Sequence, residues 1–242
     1  MVANRTTVPS PQHTDQPRLR VVILEAVALG AATVIPTVDL AAVAADPVES
    51  TSIIGALAIS SVQLMIVVLI MTRAGAARDR YGLRFKPGEL WRAVPIAAGA
   101  LALLLAFGAL LQLLPVEVEE QLKQGYRWEL RDAIKLALAA PFLLLAAYRE
   151  ELFFRAFLIT RMIDLRLPPW ACVVVSSALF AAGHLYQGVF AVVASGVLGA
   201  YLAVLYLRGG GVHRVALGHA LFNVVVLTAT LFPAIPFATF RA

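Results

Sequence analysis

Charge is scarce in this sequence. Only 14% of its 242 residues are Asp, Glu, Lys or Arg, while 60% are hydrophobic, and the mean hydropathy is +0.82. A soluble domain carries about a quarter of its residues charged, so a self-contained water-facing domain is excluded. Cysteine is nearly absent as well. Cys172 is the only one, which rules out an intramolecular disulfide. Its neighbours Ala171, Val173 and Val174 supply no base, so Cys172 reads as a small core residue rather than a nucleophile. No Gly-x-Ser-x-Gly turn and no His-Glu-x-x-His helix occurs, and Ser176, Ser177 and Ser195 have no base beside them in sequence. Internal repeats and low-complexity tracts are missing too.

What is present is a series of apolar runs. They cover residues 21–45, 52–71, 93–114, 133–162, 169–186, 189–207 and 215–232. A hydrocarbon core about 30 Å thick needs roughly 20 apolar residues per helix, so the length accommodates about six to eight crossings. The expected fold class is therefore all-α, a polytopic bundle of about seven transmembrane helices forming one integral membrane domain over 21–242. The first run is interrupted by Glu25, Pro36 and Asp39, and a broken or re-entrant segment is an alternative there. Residues 1–20 are polar and are expected to form a disordered tail. The run that follows is too long for a cleaved signal peptide.

The net charge of +5 raises the question of nucleic acid, but the basic residues lie between apolar runs and form no patch with interleaved aromatics. No nucleic-acid partner is expected. The positive-inside rule explains them better: Arg73, Arg78, Arg80, Arg84, Lys86 and Arg92 share one loop, which is placed in the cytoplasm. Arg18 and Arg20 then put the N-terminus inside, and Arg161, Arg166, Arg208 and Arg214 fall on the same side. Residues 116–132, with Glu117, Glu119, Glu120, Lys123, Arg127 and Trp128, suit an amphipathic segment at the interface. Trp91 and Trp170 are placed as interfacial anchors. Ala191, Ser195 and Gly199, spaced by four, allow the sixth helix to approach a neighbour closely.

Three of the later runs contain polar residues that lipid would penalise. The fourth continues through Arg149, Glu150, Glu151 and Arg155, each ionised group costing about 2.5 to 3.5 kcal/mol at the bilayer centre. Glu151 and Arg155 are four apart, so they share a helix face and neutralise one another. Glu150 is turned by about 100° from Glu151 and aims at a different neighbour, which makes it the candidate functional acid. Capping of a helix at the cytoplasmic surface is the plainer account of the same charges. The fifth run carries Phe180 and His184, the seventh His219 and Asn223 on one face, where packing by interhelical hydrogen bonds is the competing explanation. Together Glu150, His184, His219 and Asn223 supply a base for water and donors for an oxyanion. Glu150, His184 and His219 also resemble the ligand set of a hydrolytic zinc site, so a divalent metal stays open as an alternative.

In this order, Glu150-Glu151-x-x-x-Arg155, Phe180-x-x-x-His184 and His219-x-x-x-Asn223 resemble the motifs of the CPBP intramembrane proteases. That family includes the CAAX prenyl endopeptidases and bacteriocin-processing or self-immunity proteins. The resemblance spans about 133–232 and implies a catalytic core there. It implies an endopeptidase in which Glu150 and His184 activate water while His219 and Asn223 hold the oxyanion. Glu151, Arg155 and Phe180 support them, and no cofactor is implied. The expected partners are the lipid bilayer and a membrane-associated peptide or protein substrate, at the cell membrane. A non-catalytic immunity or scaffold protein of the same fold, and a proton-coupled transporter, are the alternatives; the inverted repeat of many transporters is not evident.

Overall fold

The structure is a computed structural model that describes residues 20, 22–27, 29–30, 50–73, 80–115, 133–209 and 211–232. The expected tail before residue 20, most of the first apolar run and the expected amphipathic segment at 116–132 lie outside the described residues. In lipid the backbone must satisfy its own hydrogen bonds, and apolar runs of this length do so as helices. Seven α-helices result among the described residues: α1 (Ser50–Arg73), α2 (Glu89–Leu111), α3 (Ala133–Glu151), α4 (Thr160–Asp164), α5 (Pro169–Ala182), α6 (Val189–Gly209) and α7 (Val212–Ala229). Residues 22–27 and 29–30 are helical as well, and no described residue is in a strand.

Among the described residues four helices are long and apolar enough to cross a membrane: Ile54–Thr72 within α1, and α2, α6 and α7. The chain is an all-α, multi-pass membrane protein. Two of the expected spans differ from simple apolar rods. The run at 133–162 is not one uniform α-helix, because α3 passes into a π-helical segment, Leu152–Ile159, before α4 resumes. All eight π-helical residues are buried, and such wide turns commonly mark functional positions. The run at 169–186 also ends early. Gly183 closes α5, His184 lies in the turn beyond it, and a 3-10 turn (Leu185–Gln187) leads to Gly188. Gly188 has φ 92, a conformation side chains resist, and it redirects the chain into α6.

Packing places α3 between α1 and α7, and α7 between α2 and α3, while α5 lies along α6 and the π segment. The main core gathers Leu29, Val67, Phe153, Phe157, Phe180 and Leu202. Two glycines permit close helix crossings. A Cβ at Gly218 of α7 would stand 2.6 Å from Ile96 Cγ2 of α2, and one at Gly199 of α6 would meet Phe180 and the Ser177 backbone of α5 at 3.2 and 3.3 Å. Gly199 is the last member of the small-residue stripe read from the sequence.

Charged groups at the ends of the first and fourth runs are paired. Glu25 accepts from Arg161 at 2.8 Å, and Arg80 pairs with Asp164. Between these pairs Tyr81 is buried against Phe157, and burial pushes its phenol above the ordinary value. Trp91 and Trp170, expected at the membrane interface, are 81% and 70% exposed.

The α2–α7 crossing yields a stability test. Gly218→Val is expected to cost about 1 to 3 kcal/mol by overpacking against Ile96. Gly55→Ala, where an added Cβ meets nothing within 4 Å, should be neutral or mildly stabilising. Equilibrium unfolding in mixed micelles reads both, and equal behaviour of the two variants would contradict this packing.

Candidate active site

The polar cluster begins where α3 passes into the π segment. Glu151 and Arg155 are both fully buried and form an ion pair, Oε2 to Nε, at 3.0 Å. Arg155 also donates from Nη2 to the Gly199 carbonyl at 3.2 Å, and its guanidinium lies 4.5 Å from the Phe180 ring centroid. The close approach allowed by Gly199 therefore also exposes a backbone acceptor to the buried cation. Ser176 of α5 donates to the Phe154 carbonyl at 2.9 Å, bracing the wide turn from the other side.

Glu151 has a second partner that its spacing from Arg155 did not reveal. His219 of α7 places Nδ1 2.9 Å from Glu151 Oε1. A carboxylate only accepts, so Nδ1 carries the hydrogen and Nε2 is left facing elsewhere. Nε2 lies 4.0 Å from Glu150 Oε2, too far for a direct hydrogen bond and close enough for one water to bridge the two.

Glu150 has its own arginine. Arg149 Nη2 donates to Glu150 Oε1 at 3.2 Å, and Arg149 Nη1 donates to Gln63 Oε1 of α1. Sequence reasoning named Arg149 only among the helix charges, without pairing it to Glu150, and missed Gln63. Adjacent positions on a helix point apart, so Arg149 did not suggest itself as a partner. Gln63 did leave a signal, as the sole carboxamide in the run 52–71.

His184, just past α5, holds its ring by donating Nδ1–H to the Phe180 carbonyl at 2.8 Å. The carbonyl cannot donate, so Nε2 of the neutral ring keeps its lone pair. Phe180 packs against both imidazoles, its ring centroid 4.7 Å from His184 and 5.9 Å from His219. Asn223 is one turn beyond His219 on α7, partly buried, with no hydrogen bond to a described residue. Tyr186, in the turn joining α5 to α6, was not singled out from the sequence. Its hydroxyl accepts from Gln187 Nε2 at 2.8 Å, and burial pushes the phenol up, so it stays a donor at neutral pH.

Other chemistries find less support in the geometry. Ser176 and Ser177 both donate to backbone carbonyls, and no group of three or more His, Cys, Asp and Glu side chains among the described residues is arranged to hold a metal.

All seven motif residues fall within one matched stretch. Residues 132–225 match the family described as Rce1-like, Type II CAAX prenyl endopeptidase Rce1-like. This segment is of the CAAX protease (CPBP) type. That family is a protease family, in accord with the resemblance carried by the three motifs. No curated protein and no solved structure matches the chain. In the CAAX protease segment the glutamate pair, the two histidines and Asn223 come from α3, the end of α5 and α7, while Gln63 lies outside it.

Removing one partner of the buried pair tests how this cluster is held. Arg155→Leu is expected to cost about 3 to 5 kcal/mol, because Glu151 is left buried without its cation. The Glu151→Leu, Arg155→Leu double variant should lose less than the sum of the single losses. Additive losses in a double-mutant cycle of unfolding free energies would show that the two groups do not stabilise each other.

Proposed function

We propose that the protein is an intramembrane endopeptidase that hydrolyses a peptide bond by direct attack of water. Glu150 and His184 activate the water, and His219 with Asn223 stabilises the oxyanion. The single observation that carries this reading is the 4.0 Å separation of Glu150 Oε2 and His219 Nε2, where one water reaches both groups.

As the water oxygen bonds to the carbonyl carbon, its proton passes to Glu150, helped by the Nε2 lone pair of His184. A positioned base of this kind contributes about 10²- to 10⁴-fold. The carbonyl oxygen becomes an oxyanion beside His219 and Asn223. With Nδ1–H of His219 donated to Glu151, Nε2 is the nitrogen that faces that oxygen, and in the protonated ring its N–H is the donor. Loss of one such donor costs about 10²- to 10³-fold. The tetrahedral intermediate collapses by breaking the C–N bond, and Glu150 returns its proton to the departing amine. No acyl-enzyme and no metal enters this sequence of steps.

The substrate class is a peptide or protein held at the membrane, and the protein acts in the cell membrane with its N-terminus in the cytoplasm. The basic loop with Arg80, Arg84 and Lys86 supports that orientation.

Glu150→Ala is expected to abolish cleavage while the protein still accumulates in the membrane. Membrane proteomes of cells carrying the wild type and Glu150→Gln should differ by at least one fragment that needs the carboxylate. Identical fragment sets would remove the peptidase reading. A peptide retained uncut would then mark a binding protein, and proton flux in proteoliposomes a transporter.

With the fragment in hand, Asn223→Ala should slow its formation by about 10²- to 10³-fold. Chelation should leave the rate unchanged. A loss restored by added zinc would instead require a metal in the reaction.

A further inference from the structure

The charges inside the bundle balance only if Arg149 is counted. Its side chain is 3% exposed, and a guanidinium keeps its charge at any physiological pH, so it requires a buried anion. Two carboxylates are at hand. Glu151 already turns Oε2 to Arg155 and Oε1 to His219. Glu150 remains, and Arg149 Nη2 reaches its Oε1 at 3.2 Å. The other charged or titratable groups acting on Glu150 are His219 from α7, Arg155 from the π segment and His184 from the turn after α5. Of these only Arg155 is a permanent cation, and it is paired. The Arg149 head is itself fixed from a third helix, since Nη1 donates to Gln63 Oε1 and Gln63 is buried in α1. Its Nε–H has no acceptor among the described residues, so these two bonds orient the group.

We infer that Arg149, anchored by Gln63, is a positioning residue: the fixed counter-ion that keeps Glu150 a carboxylate and holds one oxygen so that the other faces His219. This rests on Glu150 being the base proposed above. It makes α1, which lies outside the matched segment, part of the reactive centre.

The test is infrared difference spectroscopy of the full-length protein in lipid nanodiscs at neutral pH, with the Glu150 signal isolated by subtracting Glu150→Gln. The wild type should show a carboxylate stretch that depends on Glu150 and no protonated-carboxyl stretch. Arg149→Gln should gain the protonated band, and the Arg149→Gln, Glu150→Gln double variant should lose it. Arg149→Lys, which restores the charge, should lack it. Gln63→Leu keeps both charges, so it serves if Arg149→Gln does not accumulate; its Glu150 carboxylate stretch should move. An unchanged Glu150 signal in Arg149→Gln, or in Gln63→Leu where only that variant accumulates, overturns the inference.

The fragment identified by proteomics supplies the second reading. Its yield should fall toward the Glu150→Gln level in Arg149→Gln and recover in Arg149→Lys; no loss, or no recovery, tells against a counter-ion role. If Glu150→Gln still cuts while the Arg149→Gln band appears, the base assignment fails and the ion pairing stands. If Glu150→Gln is inactive and the spectrum of Arg149→Gln is unchanged, the pairing fails and the base assignment stands.

Discussion

An ionised group inside a lipid-embedded bundle must meet its opposite charge, and that requirement organises this molecule. Glu151 and Arg155, fully buried and 3.0 Å apart, meet it within one helix. Each then extends the constraint to another helix, Glu151 to His219 of α7 and Arg155 to the Gly199 carbonyl of α6. Three helices are fixed relative to one another by a pair that has no contact with solvent. Breaking such a pair is far more costly than never having built it, which makes it a rigid reference for the groups around it.

Against that reference the remaining polar side chains have restricted orientations. His219 has Nδ1 committed, so only Nε2 is available, and His184 is limited in the same way by the Phe180 carbonyl. Both histidines thus present a defined nitrogen. Phe180 contacts both rings and also covers the Arg155 guanidinium, so one aromatic side chain serves the cation and both imidazoles. The proposed chemistry draws on this preorganisation, since groups already in place need not reorganise as charge develops.

Much of the fold was legible because lipid leaves the chain few choices. Apolar runs of suitable length became helices, and the i,i+4 spacing of Glu151 and Arg155 placed them in contact. The residues of the polar cluster were also visible, since charge in an apolar run stands out. Their pairing was less legible. Which glutamate meets His219 depends on how α7 crosses α3, and α7 approaches α2 as closely as it does because Gly218 lacks a side chain. The early end of α5 at Gly183, with a 3-10 turn beyond it, is not something hydrophobicity alone flags. The pairing of Arg149 with Glu150 and the role of Gln63 were overlooked because neither residue belongs to a spaced motif.

The π-helical turns at Leu152–Ile159 act as a phase shift in the chain. Upstream, side chains are indexed to the interior cluster; downstream, Arg161 and Asp164 are indexed to Glu25 and Arg80. An ordinary α-helix of the same length could satisfy one set of partners but would rotate the other away from its own. Insertions or deletions of a single residue between positions 152 and 159 should consequently be tolerated far less than substitutions there, because they decouple two ends of a rod that must both be in step.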